Sequence, residues 1–403
     1  MRATRRLQIR EVAVLWVLAA ILFVAPATHA MTLAVVTEQV TAGASTFLSH
    51  EINLTGPFEL GGSDELKAVL EDLKARGGTK PGESLATLSL DSKGGALEEG
   101  MRVGRLLRQF GVSTIVRNGK RCLSTCAIAF LGGATPGTAG LVAYRQLEIG
   151  GRLGFHAFYA PRDGDARDAA TSRARGVTEG RATSAVVIAY VLEMGVDPEP
   201  IIRALVRPPE EMTYVETAGE FVELGICPVA LKLPRMTLAE RASNICNNAS
   251  QGRLPVWPDL INEYTPLEAR RLLLGEIAYH AGRANVRGGI AARLQQVLRG
   301  GRGADALYSE LAAAGLPLPV LWAKAYYFEM PVAGIRRMGC MATLTPDDPA
   351  QYGVVLITHT GLAKPKQAPP RECPELFLFG HEEVIKSVPE LGSERELVLS
   401  SPS

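Results

Sequence analysis

"LSLDSKGGALEEGMRVGRLLRQFGVSTIVRNGKRCLSTCAIAFLGG", residues 88–133, decides the fold. The Leu-rich run "LATLSLDS" (85–92) is short and bounded by Gly, Pro and Ser, as strands are. Two glycines follow, and then "ALEEGMRVGRLLRQFG" (96–111) carries apolar residues at helical spacing and ends on Gly111. "VSTIVRNG" (112–119) is β-branched and reads as the next strand. Working outward, "HEINLTG" (50–56) is another strand, and "SDELKAVLEDLKARGG" (63–78) is a helix with Ser63 as its cap. Strand, helix, strand, helix, strand is the order of a parallel sheet built from βαβ units.

Downstream, "GLVAYRQLEI" (140–149) and "GRLGFHAFYA" (151–160) read as strands, and the charged "PRDGDARDAATSRARG" (161–176) reads as a loop. Helices are expected over 183–195, 198–206 and 218–225. "PVALKLP" (228–234) closes a strand, and "NNASQGRLPVWPD" (247–259) is rich in turn formers. A first domain over 31–233 and an appended helical or mixed domain over 250–403 are therefore expected. In that second region 266–282 and 288–301 look helical and 352–361 looks like a strand, with no repeat and no legible motif.

The N-terminus has Arg2, Arg5, Arg6 and Arg10 before an apolar run, Val12 to Ala25, and small residues at Thr28 and Ala30. That is the pattern of an export signal over residues 1–30, with the mature chain starting at Met31 in a periplasmic or secreted protein. An uncleaved N-terminal anchor helix is the alternative. A formal net charge of +1 offers no electrostatic footprint for nucleic acid. Six cysteines in an exported chain permit disulfides. Sequence neighbours suggest Cys227 with Cys246 and Cys340 with Cys373, although fifteen connectivities are open to six cysteines. Cys122 and Cys126 stand four apart near a helix start, close enough to meet.

Between those two cysteines stands Ser124, at the entry to the apolar segment "TCAIAFLGG". A serine there is commonly an N-cap. It is also where a nucleophile would be exposed beside unpaired backbone N–H groups, with Thr125 N–H as one oxyanion donor and the Gly-Gly turn of "DSKGG" supplying another. His50, His280, His359 and His381 show no metal-ligand spacing, so no metal or cofactor is expected.

With its strand, glycine turn, helix, strand and serine at a helix start, this stretch resembles the Clp protease and crotonase superfamily. The C-x-S-x-C serine followed by "AFLGG" and "GFH" is similar to a group of exported Clp-like proteins. The resemblance covers roughly residues 50 to 230. It implies a Clp/crotonase-like spiral of βαβ units and serine hydrolysis of a peptide or protein substrate. It implies Ser124 as nucleophile, His156 as base, and Gly95 with Thr125 as the oxyanion hole. The family's aspartate position falls on Thr213, so the acid is expected from the adjacent Glu211, with Glu210 one residue away and Asp163, Asp165 and Asp168 as alternatives. Lys93 stands where the family's turn carries proline. Clp rings work with an ATPase, and ATP is absent outside the cytoplasm, so a small homo-oligomer with no ATPase partner is expected. Three rivals remain: a binding or scaffolding protein that kept the fold and lost the chemistry, crotonase-type acyl-CoA chemistry, and a Ser–Lys peptidase using Lys93 or Lys120.

Overall fold

A long β-branched hairpin comes first among the described residues. Strand β1 (Thr32–Ala42) pairs antiparallel with β2 (Ser45–Thr55) along its whole length, turning at Gly43 in the left-handed region (φ 63°). The computed structural model describes residues 31–385 apart from 139, 158–168, 209–210, 234, 284–288, 301, 333–335 and 367–372. The expected signal segment lies outside the described residues.

The chain then alternates as the sequence reading expects, through α1 (Gly62–Arg76), β3 (Thr87–Asp91), α2 (Leu97–Phe110) and β4 (Ser113–Val116). Helix α1 starts one residue before Ser63, which is not its cap; the Ser63 N–H donates instead to the buried carboxylate of Glu99. Next come β5 (Arg121–Leu123) and α3 (Thr125–Phe130), followed by a β6 (Ala134–Gly137), β7 (Gly140–Ala143) hairpin and by β8 (Arg145–Glu148). The stretch 140–149 is thus two strands, not one, because β7 folds back on β6 while β8 enters the main sheet. Strand β9 (Arg152–Phe155) precedes α4 (Ala169–Glu193), so the charged stretch expected as a loop is helical from Ala169. Then follow α5 (Pro198–Leu205), β10 (Thr213–Tyr214), α6 (Ala218–Leu224) and β11 (Cys227–Val229).

The main sheet has the order β1-β2-β3-β4-β8-β11, and every pair after the opening hairpin is parallel. This is a mixed α/β architecture. A smaller sheet, β10-β9-β5, sits beside it, with β5 parallel to β9. Helices α2 and α3 pack closely through glycines: a Cβ at Gly100 would lie 2.3 Å from Thr125 Cγ2, and one at Gly132 would lie 2.2 Å from the Gly104 carbonyl. Gly100 and Gly104 of α2 therefore form a helix-packing face.

Beyond α7 (Leu238–Ala249) come β12 (Asn262–Tyr264), α8 (Pro266–Arg283), α9 (Gly289–Leu298), α10 (Ala304–Ala313), β13 (Lys324–Val332), β14 (Arg336–Leu344), β15 (Tyr352–Thr358) and β16 (Gly361–Ala363). The five strands form an antiparallel sheet in the order β12-β13-β14-β15-β16. Its side chains divide with period two. Tyr326, Phe328, Cys340 and Ala342 join the core that includes α7 and the main sheet, whereas Tyr327, Met341, Val355 and Ile357 meet Leu273, Leu294 and Leu307 of α8 to α10. The region after residue 250 thus shares a hydrophobic core with the first region while building a second core of its own.

Three disulfides join Cys122 to Cys126, Cys227 to Cys373 and Cys246 to Cys340. The last two correct the nearest-neighbour pairing. Cys227 ends the main sheet in β11 and meets the segment returning from the second sheet, while Cys246 lies on the α7 face that packs on β14. The returning segment also hydrogen-bonds α6, through Gly219 N–H to the His381 carbonyl (2.8 Å) and Ala218 N–H to that of Glu383 (2.9 Å). Disulfides of this kind belong to proteins that mature in an oxidising compartment. No helix among the described residues is long and apolar enough to cross a membrane. Non-reducing peptide mapping is expected to return the 227–373 and 246–340 peptides. These bonds close spans of 146 and 94 residues. Loop entropy then assigns each roughly 4–5 kcal/mol, so replacing Cys246 and Cys340 by alanine should lower the urea midpoint sharply.

Candidate active site

Ser124 joins the end of β5 to the start of α3 in a conformation few residues adopt, φ 58° and ψ −125°. A non-glycine residue held there costs on the order of 1–3 kcal/mol and persists only where its surroundings impose it. They do so here. The Ser124 N–H donates to the Gly154 carbonyl (2.9 Å), and its own carbonyl accepts from Ala127 and Ile128 N–H (2.9 and 3.2 Å). The Cys122–Cys126 bond, buried at both ends, ties β5 to the first turn of α3 across the serine. Although Ser124 occupies the cap position, its side chain makes no capping hydrogen bond. The plain N-cap reading is thereby removed, and the strained strand-to-helix turn instead presents the half-buried hydroxyl, as a nucleophile elbow does.

The Gly-Gly turn lies against this hydroxyl. A Cβ on Gly94 would stand 2.8 Å from Ser124 Cβ and 3.2 Å from its Oγ, and one on Gly95 would stand 2.3 Å from the Phe58 carbonyl oxygen. Both glycines have positive φ, 108° and 150°. Ser92 Oγ accepts the Gly94 N–H (3.1 Å), and Phe58 exchanges bonds with its two flanks, Phe58 N–H to Gly94 O (2.9 Å) and Ala96 N–H to Phe58 O (2.8 Å). That pattern directs Gly95's own N–H and carbonyl away from Phe58. The carbonyl takes the Thr125 hydroxyl (2.9 Å), so Thr125 holds the glycine strand as well as opening the helix. The N–H groups of Thr125 and Cys126, first in α3, have no intrahelical acceptor. Phe58, which sequence reasoning missed, anchors the exposed Gly95. Gly94→Ala is expected to cost about 1–3 kcal/mol and to cut the rate at which a serine-directed probe labels Ser124 by tenfold or more, read by intact-mass kinetics.

His156 follows β9, whose residues Leu153 and Gly154 pair with Cys122 and Leu123. Ser124 and His156 therefore leave adjacent parallel strands at the same end, His156 one residue further along its strand than the register position of Ser124. The two side chains are not hydrogen-bonded to each other. His156 Nδ1 lies 2.7 Å from the Ala157 carbonyl. A backbone carbonyl at Nδ1 holds that nitrogen as the N–H and makes Nε2 the basic atom. Sequence reasoning had no means of finding it, because a backbone acceptor carries no residue signature.

The expected acid does not reach this pair among the described residues. Thr213 is opposite Phe155 in the β9–β10 ladder, so its side chain shares the Phe155 face, and the neighbour on the His156 side is Met212, whose Cγ would meet a Cβ on Gly154 at 2.8 Å. Glu211 is exposed, its N–H closes a turn onto the Pro208 carbonyl (2.9 Å), and its carboxylate makes no hydrogen bond or ion pair among the described residues. Glu210 and the 162–168 segment with Asp163, Asp165 and Asp168 lie outside the described residues. The lysine alternatives fare poorly. Lys120 is paired with Asp91 (3.0 Å) and Lys93 is exposed, so neither has the apolar burial that makes a lysine a base near neutral pH. No group of three or more metal-ligating side chains occurs among the described residues.

No family model matches this chain, and no curated protein does.

Proposed function

We propose that this protein is an exported serine hydrolase that cleaves peptide bonds on a Clp/crotonase-like arrangement of βαβ units. The observation that carries the reading is the strained, uncapped Ser124 elbow set against Gly94 and Gly95. Ser124 Oγ attacks the scissile carbonyl as His156 Nε2 takes its proton. The Gly95 and Thr125 N–H groups receive the developing oxyanion. His156 then returns the proton to the leaving amine, and a water, deprotonated in turn by His156, releases the acyl group from Ser124. The Ala157 carbonyl, accepting from Nδ1, holds the ring in the tautomer that leaves Nε2 basic. The substrate is a peptide or protein, and self-association, where it occurs, is small and needs no ATPase.

A second reading is supported by Thr213 standing where an acid is expected: a binding or scaffolding protein of the cell envelope that retains the fold without turnover. Incubation of the folded protein with a fluorophosphonate separates the two. The hydrolase reading requires stoichiometric modification mapped to Ser124 and none on the heat-denatured chain. An unmodified folded protein would favour the scaffold.

A further inference from the structure

At the other end of the main sheet from Ser124 there is a cleft of about 350 Å³. Ser124 and Gly95 lie past the carboxyl ends of β5 and β3. The cleft lies at the amino ends of the parallel strands, where Thr87 begins β3, Ser113 begins β4 and Tyr144 precedes β8. The part of β2 that extends beyond β3 supplies His50, the loop before β3 supplies Ser84, and the β6–β7 hairpin closes the side.

Its wall holds polar atoms that the fold leaves without partners. His50 is 3% exposed, and its Nδ1 lies 2.9 Å from Thr37 Oγ1, across the β1–β2 pair. Its Nε2 and the buried Ser84 Oγ have no hydrogen-bond partner among the described residues. A buried polar atom left unpaired costs roughly 1–3 kcal/mol, so an occupant of the cleft that either side chain turns to meet would recover that cost.

The chemistry of the wall narrows that occupant. Burial, with the Arg76 cation near, holds the His50 pKa below its ordinary value, so the ring is neutral. The charged side chains of the cleft, Lys80 and Glu83, neutralise each other at 2.5 Å and are both well exposed. An ionic ligand would give up its hydration with no free counter-charge to meet it, and an acyl chain would leave His50 and Ser84 unpaired. A hydroxyl both donates and accepts, so it satisfies His50 Nε2 in either tautomer. Pro136, Val142 and the Tyr144 ring add apolar surface of the kind a sugar's C–H face needs. The volume is at the small end of ligand pockets. We propose that this cleft binds a neutral pyranose, either a free sugar or one unit of a glycan chain, independently of the Ser124 site.

The test titrates the mature chain with glucose, N-acetylglucosamine and the β-1,4-linked tetramer of each, followed by saturation-transfer NMR and calorimetry. At least one probe should bind with a Kd on the order of 1 mM or tighter. A tetramer at least tenfold tighter than its monomer identifies the glycan source, and equal affinity identifies the free sugar. Ser84→Ala, which removes a hydroxyl with no partner among the described residues, should weaken binding at least fivefold. Val142→Trp, at an exposed position of the hairpin, should fill the cleft and abolish it. Ser124→Ala should bind as the parent does. The proposal fails if none of the four probes binds at roughly 20 mM, well above the weak-ligand range, if Ser84→Ala and Val142→Trp bind unchanged, or if Ser124→Ala loses binding.

Discussion

Ser124→Ala is expected to abolish fluorophosphonate labelling and to lower hydrolysis of a quenched fluorescent peptide by roughly 10⁴-fold or more. His156→Ala should lower the same rate, and the labelling rate of Ser124, by roughly 10²–10⁴-fold, the range that a general base supplies. The double variant should be no slower than Ser124→Ala, because attack and proton removal are one event and the second deletion finds nothing left to remove. Glu211→Gln is the informative contrast. The exposed carboxylate of Glu211 has no partner among the described residues, and His156 Nδ1 is bonded to Ala157, so the variant should stay within about threefold of the parent, where loss of a triad acid costs about 10⁴-fold. A drop of orders of magnitude on Glu211→Gln would return the acid to that residue. A parent-like rate for His156→Ala would remove the Ser–His mechanism altogether.

The parallel sheet was legible because β3, α2 and β4 each carry a clear period and a clear stop. Other elements gave no such signal. Strand β5 has three residues, too few for any alternation, yet it sets the serine beside the histidine. Strand β1 is exposed along most of its length, so nothing forces its residues to alternate apolar with polar. In β13 and β14 both faces are buried, and "AYYF" and "GCMATL" therefore read as unbroken apolar runs that fit a helix equally well. Disulfide partners depend on how α7 and β14 pack, which no spacing along the chain records. Around Ser124, the glycine turn at Gly94 and Gly95 and the helix start at Thr125 were legible because turn chemistry surrounds them. The direction of the Thr213 side chain was not, since counting residues back from α6 ignores the two-residue period that turns it to the face opposite His156.

The second large effect is expected at Arg145, a buried cation in the first position of β8. Its guanidinium donates from Nε to the Leu131 carbonyl (2.8 Å), from Nη1 to that of Leu224 (2.9 Å) and from Nη2 to that of Met194 (2.9 Å). Those three carbonyls lie at the carboxyl ends of α3, α6 and α4, where helix dipoles present negative charge and the last carbonyls lack intrahelical donors. One side chain thus joins the helix that starts at Ser124 to two helices that follow His156. Burial, with the Arg108 cation second, lowers the Arg145 pKa to about 9. The group is therefore protonated at neutral pH in both folded and unfolded chains, and a depressed cation of this kind adds no pH dependence to stability below about pH 8. Arg145→Met keeps length and burial but supplies no donor. Replacing a buried ion pair with apolar groups can be neutral when both partners go, but here the acceptors are backbone and stay behind. Arg108 Nη1 also donates to the Met194 carbonyl (3.1 Å), so two carbonyls are orphaned. At roughly 1–3 kcal/mol for each, the loss is about 2–6 kcal/mol, which reaches the whole stability of a marginal domain. Arg145→Met should accordingly be insoluble or show no cooperative urea transition. Arg145→Lys, with a charge but no planar fork to span three directions, should fold with a lowered midpoint. A parent-like urea curve for Arg145→Met would mean that the orphaned carbonyls find other donors, and that the guanidinium is not what holds the three helix ends together.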